Sequence, residues 1–155
     1  MNIVGVESVV YGVERMEMAI RFHEDWGLER VARDGPGADF RLADGSELAI
    51  RAHDDPSLAP GEVSWDRFDA RSTLREAIWG VDTAETLQAV AAEMSKDRDV
   101  RQDADGTIHL TDVYGYPIGF AVTRRKALTL PPPPMNGVGV DNRTDVPSDG
   151  ALRRI

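Results

Sequence analysis

The chain has 155 residues, 41% hydrophobic and 29% charged, and contains no cysteine. That length and balance fit one folded domain of ordinary composition and exclude collagen-like, largely disordered and disulfide- or thiolate-based classes. Acidic residues outnumber basic ones 27 to 18, a formal net charge of −9 that repels phosphate backbones and anionic lipid, so neither nucleic acid nor membrane is an expected partner.

In chain order, Val4, Val6 and Val10 are spaced for one face of a first strand. A helix follows, with Ala19, Phe22 and Trp26 as its inward stripe and Gly27 at the left-handed position of its C-terminus. Three short strands are expected at 28–33, 38–43 and 47–52, the last two joined at Asp44-Gly45. A proline-bearing, charged stretch at 53–71 reads as a connection. Leu74, Ala77, Ile78 and Trp79 then mark a strand with both faces partly covered. In the helix that follows, Asp82 and Glu85 have capping-box spacing, and Leu87, Val90, Ala91 and Met94 form an i, i+3, i+4, i+7 stripe. Strands at 98–103, 107–112 and 117–123 close the series, with Tyr114-Gly115 at the last turn.

The second half repeats the first. Tyr11-Gly12-Val13-Glu14 is echoed by Trp79-Gly80-Val81-Asp82 at an offset of 68, and Phe40-Arg41-Leu42 by Ile108-His109-Leu110 at the same offset. After two extra residues, Val113 and Tyr114, the register becomes 70 and pairs Gly45 with Gly115 and Ile50 with Phe120. The expected fold is therefore α+β, two βαβββ modules at about 2–52 and 72–124 within a domain ending near residue 125. Residues 126–155, with Pro131 to Pro134, read as a linker or tail.

The pattern Val13-Glu14, helix, Phe22-His23-Glu24-Asp25-Trp26-Gly27-Leu28, and later Asp112-Val113-Tyr114-Gly115-Tyr116-Pro117-Ile118-Gly119-Phe120, resembles the vicinal oxygen chelate superfamily. That group includes glyoxalase I, bleomycin-resistance proteins and extradiol catechol dioxygenases. The resemblance implies a cupped, mainly antiparallel sheet with helices outside. It also implies metal ligands on the first and last strands of each module, the first lying seven residues before the acidic residue that starts the helix. Those positions are Glu7, Ala49, Arg75 and Gly119 here. Only Glu7 is a metal donor, and a guanidinium has no lone pair to give, so no metal site and no catalytic residue is expected in this chain.

By strict alternation Glu7, Val9 and Tyr11 share a face, as do Arg75, Ala77 and Trp79. An ion pair between Glu7 and Arg75 across the sheet is the leading expectation. The other is a ligand-binding set of Glu7, Tyr11, Arg75, Trp79 and His109 that holds a small aromatic or anionic molecule. His23 and His53 are read as surface residues.

The resemblance is greatest to the metal-free N-terminal domain of an extradiol dioxygenase. It implies a non-catalytic domain, or truncated relative, of such an oxidoreductase, with Fe(II) or Mn(II) held in a missing C-terminal domain and a role in aromatic compound catabolism. A metal-free binding module of the bleomycin-resistance type is the alternative. A metal-dependent lyase or isomerase of the glyoxalase kind is disfavoured by Arg75, Ala49 and Gly119. A homo-oligomer, most simply a dimer, is expected. No run long enough to span a bilayer and no basic, apolar leader is found at the N-terminus, so the expected location is cytoplasmic.

Overall fold

The computed structural model describes residues 2–31, 35–59 and 73–128. In chain order the elements are β1 (Ile3–Val13), α1 (Met16–Asp25), β2 (Glu29–Val31), β3 (Ala38–Arg41), β4 (Glu47–Ala52), β5 (Thr73–Val81), α2 (Ala84–Met94), β6 (Arg101–Gln102), β7 (Ile108–Thr111) and β8 (Pro117–Val122). This is βαβββ twice, as the repeat requires. The proline-rich stretch expected as a linker falls outside the described residues, as does most of the connection between modules.

All eight strands form one sheet in the order β2-β3-β4-β1-β5-β8-β7-β6. Each module pairs its first strand parallel to its last, and the two modules join through an antiparallel β1–β5 seam. The remaining pairings are antiparallel hairpins. Short β2 and β6 form the outer edges, which leaves little unpaired backbone for association.

Each module has its own core beneath its helix. Phe40, Ile50, Leu48 and Ala38 form the first, with Val9, Tyr11, Val13, Met16, Ala19, Ile20 and Leu28 packed against them. Val81, Leu87, Val90, Ile108, Leu110 and Phe120 form the second, with Ala91, Met94, Val100 and Ile118 around them. The α2 stripe read from sequence is thus the one buried. Its cap differs from expectation by one residue: the Thr83 hydroxyl, not Asp82, accepts the Thr86 N–H at 3.1 Å. Thr83 has the extended backbone an N-cap needs, and Thr86 then falls three residues on.

In α1 the expected inward stripe is only partly inward. Ala19 packs on the core, but Phe22 is 60% exposed and Trp26 lies half-buried just past the helix end. Gly27 does take positive φ (89°), as do Gly45 (90°) and Gly115 (88°) in the two hairpin turns.

Candidate functional site

The sheet face opposite the helices is the one expected to line a cup. Its residues follow from register. Val9 and Tyr11 stand beside Leu48 and Ile50 of the core, so they face α1; Ser8 and Val10, with Ala49 opposite, take the open face. In module 2 Ala77, Trp79 and Val81 stand beside Ile118, Phe120 and Val122, and Phe120 and Val81 lie in the α2 core. Trp79 therefore faces the helices, whereas Glu76, Ile78, Gly119 and His109 take the open face.

Three residues break this alternation: Val4, and the two first-strand positions singled out from sequence. The β1–β5 ladder shifts register between Val6 and Ser8, leaving Glu7 as an extra residue on β1, and again between Val10 and Tyr11, leaving Arg75 extra on β5. These are β-bulges, which turn a side chain away from the face that alternation assigns it. Glu7 lies over Gly80, where an added Cβ would sit 2.7 Å from its Oε2; Arg75 lies over Gly12, where an added Cβ would sit 2.5 Å from its Nε. Gly12 and Gly80 are themselves equivalent in the repeat, so the two bulges are related by the internal pseudo-twofold.

The expected Glu7–Arg75 ion pair is not formed. Each side chain crosses the seam and fastens the chain just beyond the other module's last strand. The Glu7 carboxylate accepts the Thr123 hydroxyl (2.8 Å) and the Arg124 backbone N–H (2.7 Å). Arg75 donates Nη2–H to the His53 carbonyl (3.0 Å), while its Nε has no hydrogen-bond partner. Both are buried, at 8% exposure. Alternation counted straight through Glu7 and Arg75 could not reveal this, since a bulge depends on how two strands pair.

His109 lies on the open face, and Glu76 and Asp103, neither singled out from sequence, flank it. Nδ1 lies 2.7 Å from Glu76 Oε1 and Nε2 lies 3.1 Å from Asp103 Oδ2. Carboxylates only accept, so an imidazole satisfying both must carry both protons. The Glu76 hydrogen bond raises the His109 pKa above its ordinary value; partial burial opposes this, the Glu76 and Asp103 charges add to it, and Arg101 opposes it. With both ring nitrogens turned to carboxylates, His109 has no lone pair free for a ligand.

The structure therefore does not gather the five candidate ligand-binding residues. Glu7 and Arg75 are engaged in clasps, His109 is on the open face, and Tyr11 and Trp79 are on the helix side. What the open face offers instead is a recess of about 360 Å³ near the seam, floored by Ser8, Ile78 and Ala121 and rimmed by Arg41, Arg124 and Lys126. Arg41 is paired with Glu47 at 2.7 Å and Arg124 approaches Asp105 at 3.7 Å.

The four positions equivalent to family metal ligands do not fit a metal. Both Glu7 oxygens already accept hydrogen bonds, Ala49 and Gly119 carry no donor, and Arg75 brings a fixed positive charge. Among the described residues no group of three or more His, Asp or Glu side chains is arranged to hold a metal ion.

No family model and no curated protein matches the sequence. Solved structures do match in shape. An extradiol ring-cleaving dioxygenase from B. fuscum superposes with a TM-score of 0.62 at 16% identity, covering 81% of this chain and 34% of its own. Homoprotocatechuate 2,3-dioxygenase from Arthrobacter globiformis gives 0.62 at 14%, covering 81% and 38%. The Mn(II)-bound glyoxalase from Novosphingobium aromaticivorans gives 0.58 at 17%, covering 81% and 41%. The chain thus spans well under half the length of these structures. By this likeness in shape the chain has the vicinal oxygen chelate fold.

Proposed function

We propose that this chain is a metal-free supporting domain of an extradiol dioxygenase-like protein, whose metal is held in a further pair of modules. One observation carries the reading: the two first-strand positions, Glu7 and Arg75, are engaged as clasps between the modules instead of facing a shared centre. Glu7 is also the lone donor among the four family ligand positions, and one carboxylate beside the fixed charge of Arg75 does not make a metal site. The resemblance to dioxygenases far longer than this chain supports the same reading. A role in aromatic compound catabolism, a cytoplasmic location and self-association are part of the proposal.

The test is direct metal titration of the purified chain by calorimetry, with Fe(II) and Mn(II) under anaerobic conditions. The expected result is no stoichiometric binding. One equivalent bound tightly, and lost in Glu7→Ala, overturns the proposal.

A second reading rests on the open-face recess, where Lys126 joins the paired Arg41 and Arg124 at the rim and gives a small aromatic acid a cation to meet. On that reading the chain binds its ligand without a metal, as a stand-alone module. Titration with benzoate and salicylate discriminates: saturable binding weakened by Lys126→Ala favours this second reading over a purely supporting role.

A further inference from the structure

The two helices occupy equivalent places over their modules but seat differently. α2 fully buries Leu87 and Val90, whereas α1 packs Met16, Ala19 and Ile20 on its core without fully burying any residue. Between the end of α1 and strands β1 and β4 lies a recess of about 660 Å³. Val9 and Leu48 line its inner part, and Tyr11, Phe22 and Trp26 supply aromatic walls. Leu48 belongs to the module 1 core, so the recess runs into the interior and does not merely cross the surface.

We infer that this recess is a binding site for an uncharged molecule carrying one or two aromatic rings, on the helix side of the sheet and separate from the open face. The size falls within the usual range for small-molecule sites, roughly 300–1,000 Å³. Three rings, Phe22, His23 and Trp26, stand 5.2–6.2 Å from one another on this wall, with His23 Nδ1 held 2.7 Å from the Ala19 carbonyl, and together they give an aromatic surface on which a ligand ring can pack. Every charged rim group that could match an ionic ligand is already satisfied. Asp44 takes Arg125 at 2.8 Å, Glu47 takes Arg41 at 2.7 Å, and Glu7 takes Thr123 and Arg124. A charged ligand would be buried here without a partner, at high cost, which selects a neutral one. The shape selects a small molecule over a protein. A stable protein interface needs roughly 800 Å² per partner of matched surface, whereas this recess is a local concavity ending on core side chains.

The experiment uses N-phenyl-1-naphthylamine, an uncharged aromatic dye, titrated into the full chain and followed by its fluorescence. The expected result is one equivalent bound. Phe22→Ser, a change at an exposed position that leaves the fold intact, should weaken the dissociation constant at least about tenfold, and Val9→Phe, which fills the floor, should abolish binding. If Val9→Phe does not fold by circular dichroism, Phe22→Ser decides alone. Tyr114→Ser, at an exposed turn elsewhere, should leave binding unchanged. No binding, several equivalents bound, or unchanged affinity in Phe22→Ser overturns the inference. So does light scattering that shows a dimer which Phe22→Ser dissociates, because the recess would then be covered by a second copy.

Discussion

Replacing Glu7 by alanine tests the clasp at its centre. The carboxylate is buried and accepts two hydrogen bonds, from the Thr123 hydroxyl at 2.8 Å and the Arg124 N–H at 2.7 Å. A hydrogen bond to a charged group contributes roughly 1.5–3 kcal/mol, so two would total about 3–6 kcal/mol if nothing replaced them. Arg124 is exposed, and water can take over at that end, so the expected loss is nearer 2–3 kcal/mol. For a domain of this size each kcal/mol lowers the melting temperature by about 3–5 °C, which places the Glu7→Ala shift near 10 °C. The assay is urea unfolding with thermal melts, run on Glu7→Ala, Thr123→Val and the double variant. Because the two side chains share one interaction, the double variant should cost less than the sum of the singles by about 1 kcal/mol. Strict additivity, or a Glu7→Ala loss under about 0.5 kcal/mol, would refute the assignment of Glu7 as a clasp.

Three further outcomes follow from the same geometry. Gly80→Ala places a Cβ 2.7 Å from Glu7 Oε2, so it should cost about 1–3 kcal/mol in the native chain and much less in the Glu7→Ala background, as read by urea midpoints. Phe40→Ala removes a ring with 0% exposure and should cost about 3–5 kcal/mol; a loss below 1 kcal/mol would place that ring outside the core. His109 has a pKa raised by Glu76, so its protonated form is favoured in the folded state. That stability is complete below the ordinary histidine value of about 6.5 and fades as pH rises through the folded value. Unfolding midpoints should therefore fall between pH 6 and pH 9, and His109→Asn should flatten the slope; an equal slope in the variant would remove His109 as its source.

The fold was legible because the chain states it twice. A single run such as 47–52 is ambiguous, but its partner at 117–123 in the same place within the second copy fixes both as the last strands of their modules. The change of offset was misplaced: Ala38 pairs with Ile50 as Ile108 pairs with Phe120, so the offset is already 70 at β3 and β7, and the two hairpin turns have equal length. The helix N-caps Arg15 and Thr83 are still 68 apart, so the two extra residues lie between the start of α2 and β7, and the match of Phe40-Arg41-Leu42 with Ile108-His109-Leu110 is two residues out of register. The site was far less legible. Glu7, Arg75 and His109 were found as positions, but their partners were not. Thr123, Arg124 and the His53 carbonyl are reached only across the seam, and His109 on β7 meets Glu76 from β5, two strands away, and Asp103 from the turn after β6. One signal was present and unused. The best-matching segment of the repeat carries Gly12 and Gly80, and a glycine inside a strand marks a bulge or a close approach.

The pseudo-symmetry of the two clasps also bears on why their charges differ. Glu7 and Arg75 occupy one position in two copies, each crossing to the other module. Two glutamates or two arginines there would place like charges on either side of one seam, whereas one of each leaves it balanced. The partners also differ in kind: Glu7 meets donors, a hydroxyl and an N–H, while Arg75 meets an acceptor, a carbonyl. The exchange Glu7→Arg with Arg75→Glu should therefore fail, because each side chain would arrive at a group of its own polarity, donor against donor and acceptor against acceptor. Net charge is unchanged in that swap, so a stable exchanged protein, read by the same unfolding assay, would mean that charge balance alone sets these positions. Loss of the cooperative transition would mean that the positions are set by what each side chain touches.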